Sequence, residues 1–317
     1  MRRTSSQACA SFTLAAVLSL GSVVDAEIGG VPQFLGTNVQ ADDLLRVIST
    51  ARSRSFKPVG HTSVVLRMRT VARVTAAVKI RSRTLPHGYQ HEIAAYRVAR
   101  LLGLDNVPPA IHRRVAWKEI RRRFHEDKLD ERGSVRRAVM WDDDGTAPAA
   151  AIYWVKGMRS VGYEDRSKWG GWLRDADIPS GKEALARDLS AMVVFDFLIG
   201  NWDRFSGGNL PSDGSRQRAI LRDNDRAFST PLLPRRYEAL LDELVRTKRF
   251  SRSLVERLSE LDEVALRREL ARDPSHLSEP LLSDAQIADF FDRRATTLSY
   301  IAASIEELGE AEVLVFP

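Results

Sequence analysis

Asn201, Asp203 and Asn209 fall within one glycine-containing stretch, Gly200-Asn201-Trp202-Asp203-Arg204-Phe205-Ser206-Gly207-Gly208-Asn209, directly after the apolar run Leu185 to Ile199. Loops carried by rigid elements are where reactive side chains are commonly presented. Further along, Asp223 follows the short apolar run Ala219-Ile220-Leu221, inside Arg222-Asp223-Asn224-Asp225. Ser212-Asp213-Gly214 reads as a turn between the two segments, so the chain can double back as a hairpin and return Asp223 to the Asp203 loop. Two carboxylates and an amide gathered this way have the composition that phosphoryl transfer requires. One carboxylate would orient an attacking hydroxyl, and the other, with the amide, would hold a divalent metal on the phosphates.

The first half of the chain supplies complementary groups. Lys79, one of only eight lysines against 40 arginines, lies on the strand face opposite Val74, Val78 and Ile80, with small neighbours Thr75 and Ala77 on its own face. That leaves a slot for a flat ring beside an ammonium that can reach phosphate oxygens. Ala77-Val78-Lys79 matches the end of the Val-Ala-Ile-Lys pattern on the third strand of protein kinases. Glu92, near the start of the next helix, is placed to pair with Lys79. The small-residue turn Val59-Gly60-His61-Thr62-Ser63 offers backbone N–H groups and hydroxyls, with Gly60 and Ser63 as candidate phosphate contacts. Tyr153 to Met158 leaves the last strand for the helical half, which makes Val155 and Met158 candidates for contact with the nucleotide base.

These residues need a scaffold that brings them together. Period-2 alternation marks β structure over Phe56 to Arg81, and helical spacing marks His91 to Leu102. A charged connection, Arg113 to Arg132, leads to a predicted hairpin of Val135 to Trp141 and Ala149 to Val155, turning at Asp144-Gly145. Helices are predicted at Glu183 to Ile199, Tyr237 to Thr247, Ser253 to Leu261 and Asp284 to Leu308. A β-rich half followed by a helical half implies two lobes with a cleft between them.

Composition narrows the class. The chain has 317 residues, 44% hydrophobic and 28% charged, and its mean hydropathy of −0.26 excludes polytopic membrane architectures and disorder. The net charge of +6 comes from arginines spread along the whole length, so no nucleic-acid-binding face is expected. Arg2 and Arg3 precede the apolar stretch Ala10 to Leu20 and the small-residue end at Ala26, the pattern of a secretory signal. The expected organisation is a signal peptide over 1–26, an N-terminal extension over 27–55, a β-rich lobe over 56–155, and a helical lobe with its tail over 156–317. The product would be secreted or periplasmic, with no transmembrane segment once the signal is removed. It would also lack cysteine, since the single Cys9 lies in the signal.

The segments Glu92 to Arg97, Leu101 to Pro109, Gly200 to Arg204 and Asp223 to Asp225 together resemble the secretory-pathway atypical kinases of the Golgi casein kinase and four-jointed type, and most closely their bacterial relatives. The Asn-x-Asp-Arg loop is similar, more loosely, to the phosphoinositide 3-/4-kinases and the HipA toxin kinases. The resemblance implies an α+β, bilobal protein-kinase-like fold with a β-rich N-lobe and a helical C-lobe. It implies ATP with Mg²⁺ or Mn²⁺, and a γ-phosphate moved to a hydroxyl on a protein, glycan or lipid. Asp203 becomes the catalytic carboxylate, Asp223 the metal ligand, Lys79 the phosphate-binding lysine and Glu92 its partner. Asn209 lies one position later than is usual, and Asp225 stands where glycine is common. A catalytically inactive pseudokinase that binds a nucleotide or partner is the alternative.

Overall fold

The computed structural model describes residues 33–317 apart from Gly36, His61, Thr62 and Leu277. The expected signal peptide lies outside the described residues, as do His61 and Thr62 of the small-residue turn.

A five-stranded antiparallel sheet in the order β1-β2-β3-β5-β4 builds the first half. Its strands are β1 (Ser53–Val59), β2 (Val65–Thr70), β3 (Thr75–Ile80), β4 (Ala110–Ala116) and β5 (Thr146–Tyr153). In β3 the alternation holds as expected: Ala76, Val78 and Ile80 face the core while Ala77 and Lys79 face the other way. Strand β5, interior to the sheet, is buried without a break from Ala147 to Ala151, and its small side chains let α1 (Ala41–Thr50) and α2 (Gly88–Leu101) pack close.

Two expectations need correction here. Val135 to Trp141 is no hairpin strand; α4 (Arg132–Ala138) occupies most of it, and only Val139 makes a bridge, to Ser82. Instead β5 pairs with β3 on one side and β4 on the other, and β4 begins immediately after Pro109 and runs on into the expected charged connection; α3 (Trp117–Arg122) follows it. The N-terminal extension contains α1, whose Ala41, Leu44, Leu45 and Ile48 are buried. The cause at β4 is Arg113, a charged residue at a core-facing position. Its guanidinium donates to the carbonyls of Ile48, Ser49 and Ala51 at 2.9–3.0 Å, supplying partners for the C-terminal end of α1. A charge on the inner face erases the alternation that reveals a strand.

The second half is helical: α5 (Gly170–Asp175), α6 (Glu183–Ile199), α7 (Pro234–Arg246), α8 (Arg252–Glu260), α9 (Glu263–Leu270), α10 (Asp284–Leu308) and α11 (Glu310–Val313). Side-chain caps start three of them: Ser251 on α8, Asp262 on α9, and a Ser283–Gln286 capping box on α10. The short helix α9 has no counterpart in the sequence reading. Helix α6 is buried from Leu185 onward save at Arg187, as a helix apolar all round must be. Gly200 ends it with a left-handed φ of 65°, a conformation that glycine adopts without strain, and so turns the chain into the Asp203 loop. Among the described residues, no helix is long and apolar enough to cross a membrane.

Candidate active site

Strand β3 and helix α2 bring Lys79 and Glu92 together, with Nζ 2.5 Å from Oε1. Both side chains are almost fully buried. The segment after the Ser212–Ala219 bridge returns to the same point. Ala219 to Leu221 forms no regular strand, but the chain does reverse across Ser212 and Ala219. Asp223 thereby reaches Lys79 Nζ at 2.5 Å and Asp225 reaches it at 2.7 Å. Asp223 holds a left-handed φ of 61°, which aspartate tolerates better than most residues.

Burial works against the Lys79 ammonium, but Glu92, Asp223 and Asp225 outweigh it and raise its pKa above the ordinary lysine value. Burial raises Glu92 and Asp225, and Lys79 offsets this only in part because the carboxylates also repel one another. Burial opposes Asp223 too, yet Lys79, Arg222 and Arg204 prevail and hold it below the usual carboxylate range. Asp223 is therefore the most firmly ionised of the three. Its side chain is 40% exposed, and it faces the cleft.

The cleft has a cavity volume of about 210 Å³ and opens to solvent. Val59, Val65 and Ala77 of the sheet, with Gly60 just past the end of β1, line one wall, and Lys79, Glu92, Arg222 and Asp223 line the charged end. Tyr153, Trp154, Val155 and Met158 complete it at the crossing into the helical half. The N–H groups of Tyr153 and Trp154 are committed to the carbonyls of Pro109 and Thr75. Val155 thus presents the first uncommitted backbone donor along that edge. Ser63 lies in the bend before β2 and is not among the lining residues, whereas Gly60 is.

Asp203 sits on the neighbouring loop, partly exposed, outside the cavity lining. Ser206 Oγ donates to its Oδ1 at 2.6 Å, and Asn209 Nδ2 donates to its backbone carbonyl at 3.0 Å and lies 3.5 Å from Oδ2. Asn209 thus has its hydrogen bonds to Asp203. The tie between this loop and the Asp223 segment is Arg204, buried to 1% exposure. Its Nε and Nη2 grip both oxygens of Asp196 on α6 at 2.8 and 2.9 Å, and Nη2 also donates to Asn224 Oδ1 at 2.6 Å. Its Nη1 donates to the carbonyls of Asn209 and Arg222. Asp196 holds the side chains of Arg204 and Asn201.

The site thus unites Lys79, Glu92 and Asp223 in one cavity edged by Gly60, Val155 and Met158, with Asp203 and Asn209 on the adjoining loop. Sequence reasoning passed over two participants. Arg204 was visible only as a neighbour of Asp203, although an arginine beside an apolar helix that carries an aspartate signals a buried pair. Asp225 read as a departure from pattern, because its partner lies 146 residues away.

No protein-family profile matches the chain, and no curated protein matches it in sequence. Solved structures do match in shape. The Golgi casein kinase with Mn and ADP bound superposes with a TM-score of 0.65 at 17% identity, over 87% of this chain and 78% of that one. Hydra Fam20 with sugar superposes with a TM-score of 0.66 at 18% identity, over 90% of this chain and 95% of that one. The chain has the Golgi casein kinase fold. Within that kinase-like fold the β-rich lobe carries Lys79 and Glu92, the helical lobe carries Asp203 and Asp223, and the cleft lies between, as the sequence resemblance implies.

Proposed function

We propose that the protein is an exported, ATP-dependent atypical kinase that transfers a γ-phosphate to a hydroxyl acceptor on a protein, glycan or lipid. The observation that carries the reading is the meeting of Lys79, Glu92 and Asp223 at the charged end of a cleft whose far edge, Tyr153 to Met158, suits a flat base. Oxygen donors on Glu92, Asp223 and Asp225 lie within 4.8 Å of one another, an all-carboxylate set that fits a hard divalent cation such as Mg²⁺ or Mn²⁺. Such a cation, when bound, supplies neutralisation of phosphate charge. Asp223 would hold it, with Asn209 contributing its amide oxygen from the next loop. Lys79, fixed by Glu92, would bind phosphate oxygens, and Gly60 and Ser63 would border them. Asp203 would orient the acceptor hydroxyl and receive its proton. Val155 and Met158 would contact the base. The Mn and ADP in the Golgi casein kinase and the sugar in hydra Fam20 support this choice of ligands. The basic, apolar N-terminal stretch, Arg2 to Ala26, supports export.

The test is ATP consumption by the purified protein with Mg²⁺ or Mn²⁺, paired with thermal shift. Asp203→Ala or Asp223→Ala should lower turnover by at least about 10²-fold, the scale of losing one major electrostatic element. Undiminished turnover in either variant sinks the assignment. A nucleotide-induced shift without turnover across a panel of protein, glycan and lipid acceptors supports the pseudokinase instead.

A further inference from the structure

The 40 arginines are spread along the sequence, but the fold does not keep them apart. Away from the cleft, a concavity of about 810 Å³, open to solvent, is lined by Arg52, Lys118, Arg121, Arg122 and Arg123 against the single carboxylate of Glu119. Its two halves are remote in sequence and firmly joined. Ser53 and Glu119, 66 residues apart, bond side chain to side chain. The Phe56 N–H donates to the Arg123 carbonyl at 2.9 Å, and the His125 N–H donates to the Phe56 carbonyl at 2.8 Å. Ile120 and Phe124 are buried, which turns the charged side of α3 outward.

Glu119 is already matched, since Arg123 Nη1 lies 2.9 Å from its Oε1. Arg52, Lys118, Arg121 and Arg122 are left over. All four are exposed, and none has an ion pair or a side-chain hydrogen bond among the described residues. The acidic run that follows, Glu126 to Glu131, lies outside the lining, and its Asp127 and Glu131 face Lys57 and Lys128. Like charges gathered in a concavity repel one another and focus a positive field there. No internal contact offsets that cost.

The lining restricts the anion. Ala116 is its only apolar residue and it holds no aromatic ring, so neither a nucleobase nor a sugar ring finds a stacking platform. Guanidinium forks match the oxygens of phosphate and carboxylate alike. Charge density separates the two: a carboxylate brings one negative charge, and a phosphate monoester brings nearly two in a similar space.

We propose that this concavity is a second ligand site, for a molecule that carries several phosphate monoesters close together. It shares no residue with the nucleotide cleft, so the inference stands independently of what the cleft binds. A soluble multiphosphate and a multiply phosphorylated lipid headgroup present the same chemistry.

The test is calorimetric titration of inositol hexakisphosphate into the full chain, at about 0.15 M NaCl and with EDTA so that no divalent cation bridges the partners. Arg121→Ala/Arg122→Ala and Arg52→Ala/Lys118→Ala each remove two charges from the concavity. Arg235→Ala/Arg268→Ala removes two exposed charges outside it and serves as the control. Each concavity variant should bind at least about tenfold more weakly, the scale of losing a charge-assisted hydrogen bond, while the control keeps the wild-type affinity. Urea midpoints should match throughout, because the truncated side chains make no internal ion pair or hydrogen bond. A second arm uses phosphatidylcholine vesicles containing phosphatidylinositol bisphosphate. Vesicle binding that the concavity variants lose identifies a headgroup as the source, and binding of the soluble probe alone identifies a free ligand. Undiminished binding in the concavity variants, an equal loss in the control, poly-glutamate bound as tightly as the hexakisphosphate, or a wild type that binds neither phosphate probe overturns the proposal.

Discussion

At the scale of single residues, the arrangement depends on Arg204 as much as on the groups that would meet substrate. One planar guanidinium joins α6, the Asp203 loop and the Asp223 segment, using a bidentate grip on Asp196 and three further acceptors. Removing it would strand the buried Asp196 carboxylate, which has no other cation in contact among the described residues. Arg204→Ala should therefore cost about 3–5 kcal/mol, the range for breaking a buried ion pair from one side. Arg204→Lys should recover only part of this, because an ammonium keeps the charge but not the fork. Urea unfolding midpoints would measure both, and an Ala variant within about 1 kcal/mol of the wild type would contradict the account.

Helix α2 sets the limits at the scale of elements. His91 sits on it against Phe228 and His87, with Nδ1–H donating to the Asp225 carbonyl and Nε2 facing the Gln286 amide at 3.4 Å. Burial, aided by His87, pushes its pKa down to about 4, while the bond to Asp225 resists. A depressed histidine is neutral in the folded state, so the unfolded chain binds the extra proton first. Its contribution is complete above about pH 6.5 and is lost as pH falls toward 4, by about 3 kcal/mol in all. Glu92 and Asp225 are raised and act in the opposite sense, so the effect is best read as a difference. Between pH 7 and 4 the wild type should lose more stability than His91→Gln, and parallel curves would refute the assignment.

Elements are also where sequence and structure part company. Helices α6 and α10 were legible to the residue because uninterrupted apolar periodicity and end signals agree. Lys79 was legible because its face of β3 alternates cleanly. Strand β4 was hidden by Arg113, whose inward charge is explained only by carbonyls of α1, and α4 was mistaken for a strand since Val135 is its single buried residue. Asp225 and Arg204 were opaque for a related reason. The partner of Asp225 is 146 residues away, and Arg204, although only eight residues from Asp196, also ties in Arg222 and Asn224 from a separate segment, which no local pattern encodes.

Across the whole molecule, α2 is the element common to both lobes. All of its residues but His91 and Leu101 are buried. Its charges are anchored in several directions: Arg100 reaches Asp42 of α1 and Glu269 of α9, Arg97 reaches Glu269 and Asp273, and Gln90 Nε2 donates to the Pro280 carbonyl at 2.9 Å. Amides in a helix held on all sides should open only when the molecule unfolds globally. Hydrogen exchange along 92–101 should then be equally slow with and without ADP and MnCl2, beyond the general stabilisation that ligand confers. Exchange in α2 that runs well ahead of α6 would disprove this.

A helix so anchored has no room to swing. The Lys79–Glu92 contact is present from the moment the chain folds, and no segment need be modified or displaced to complete it. A switch on this protein would therefore have to act elsewhere than on the Lys79–Glu92 pair, for instance on entry to the cleft.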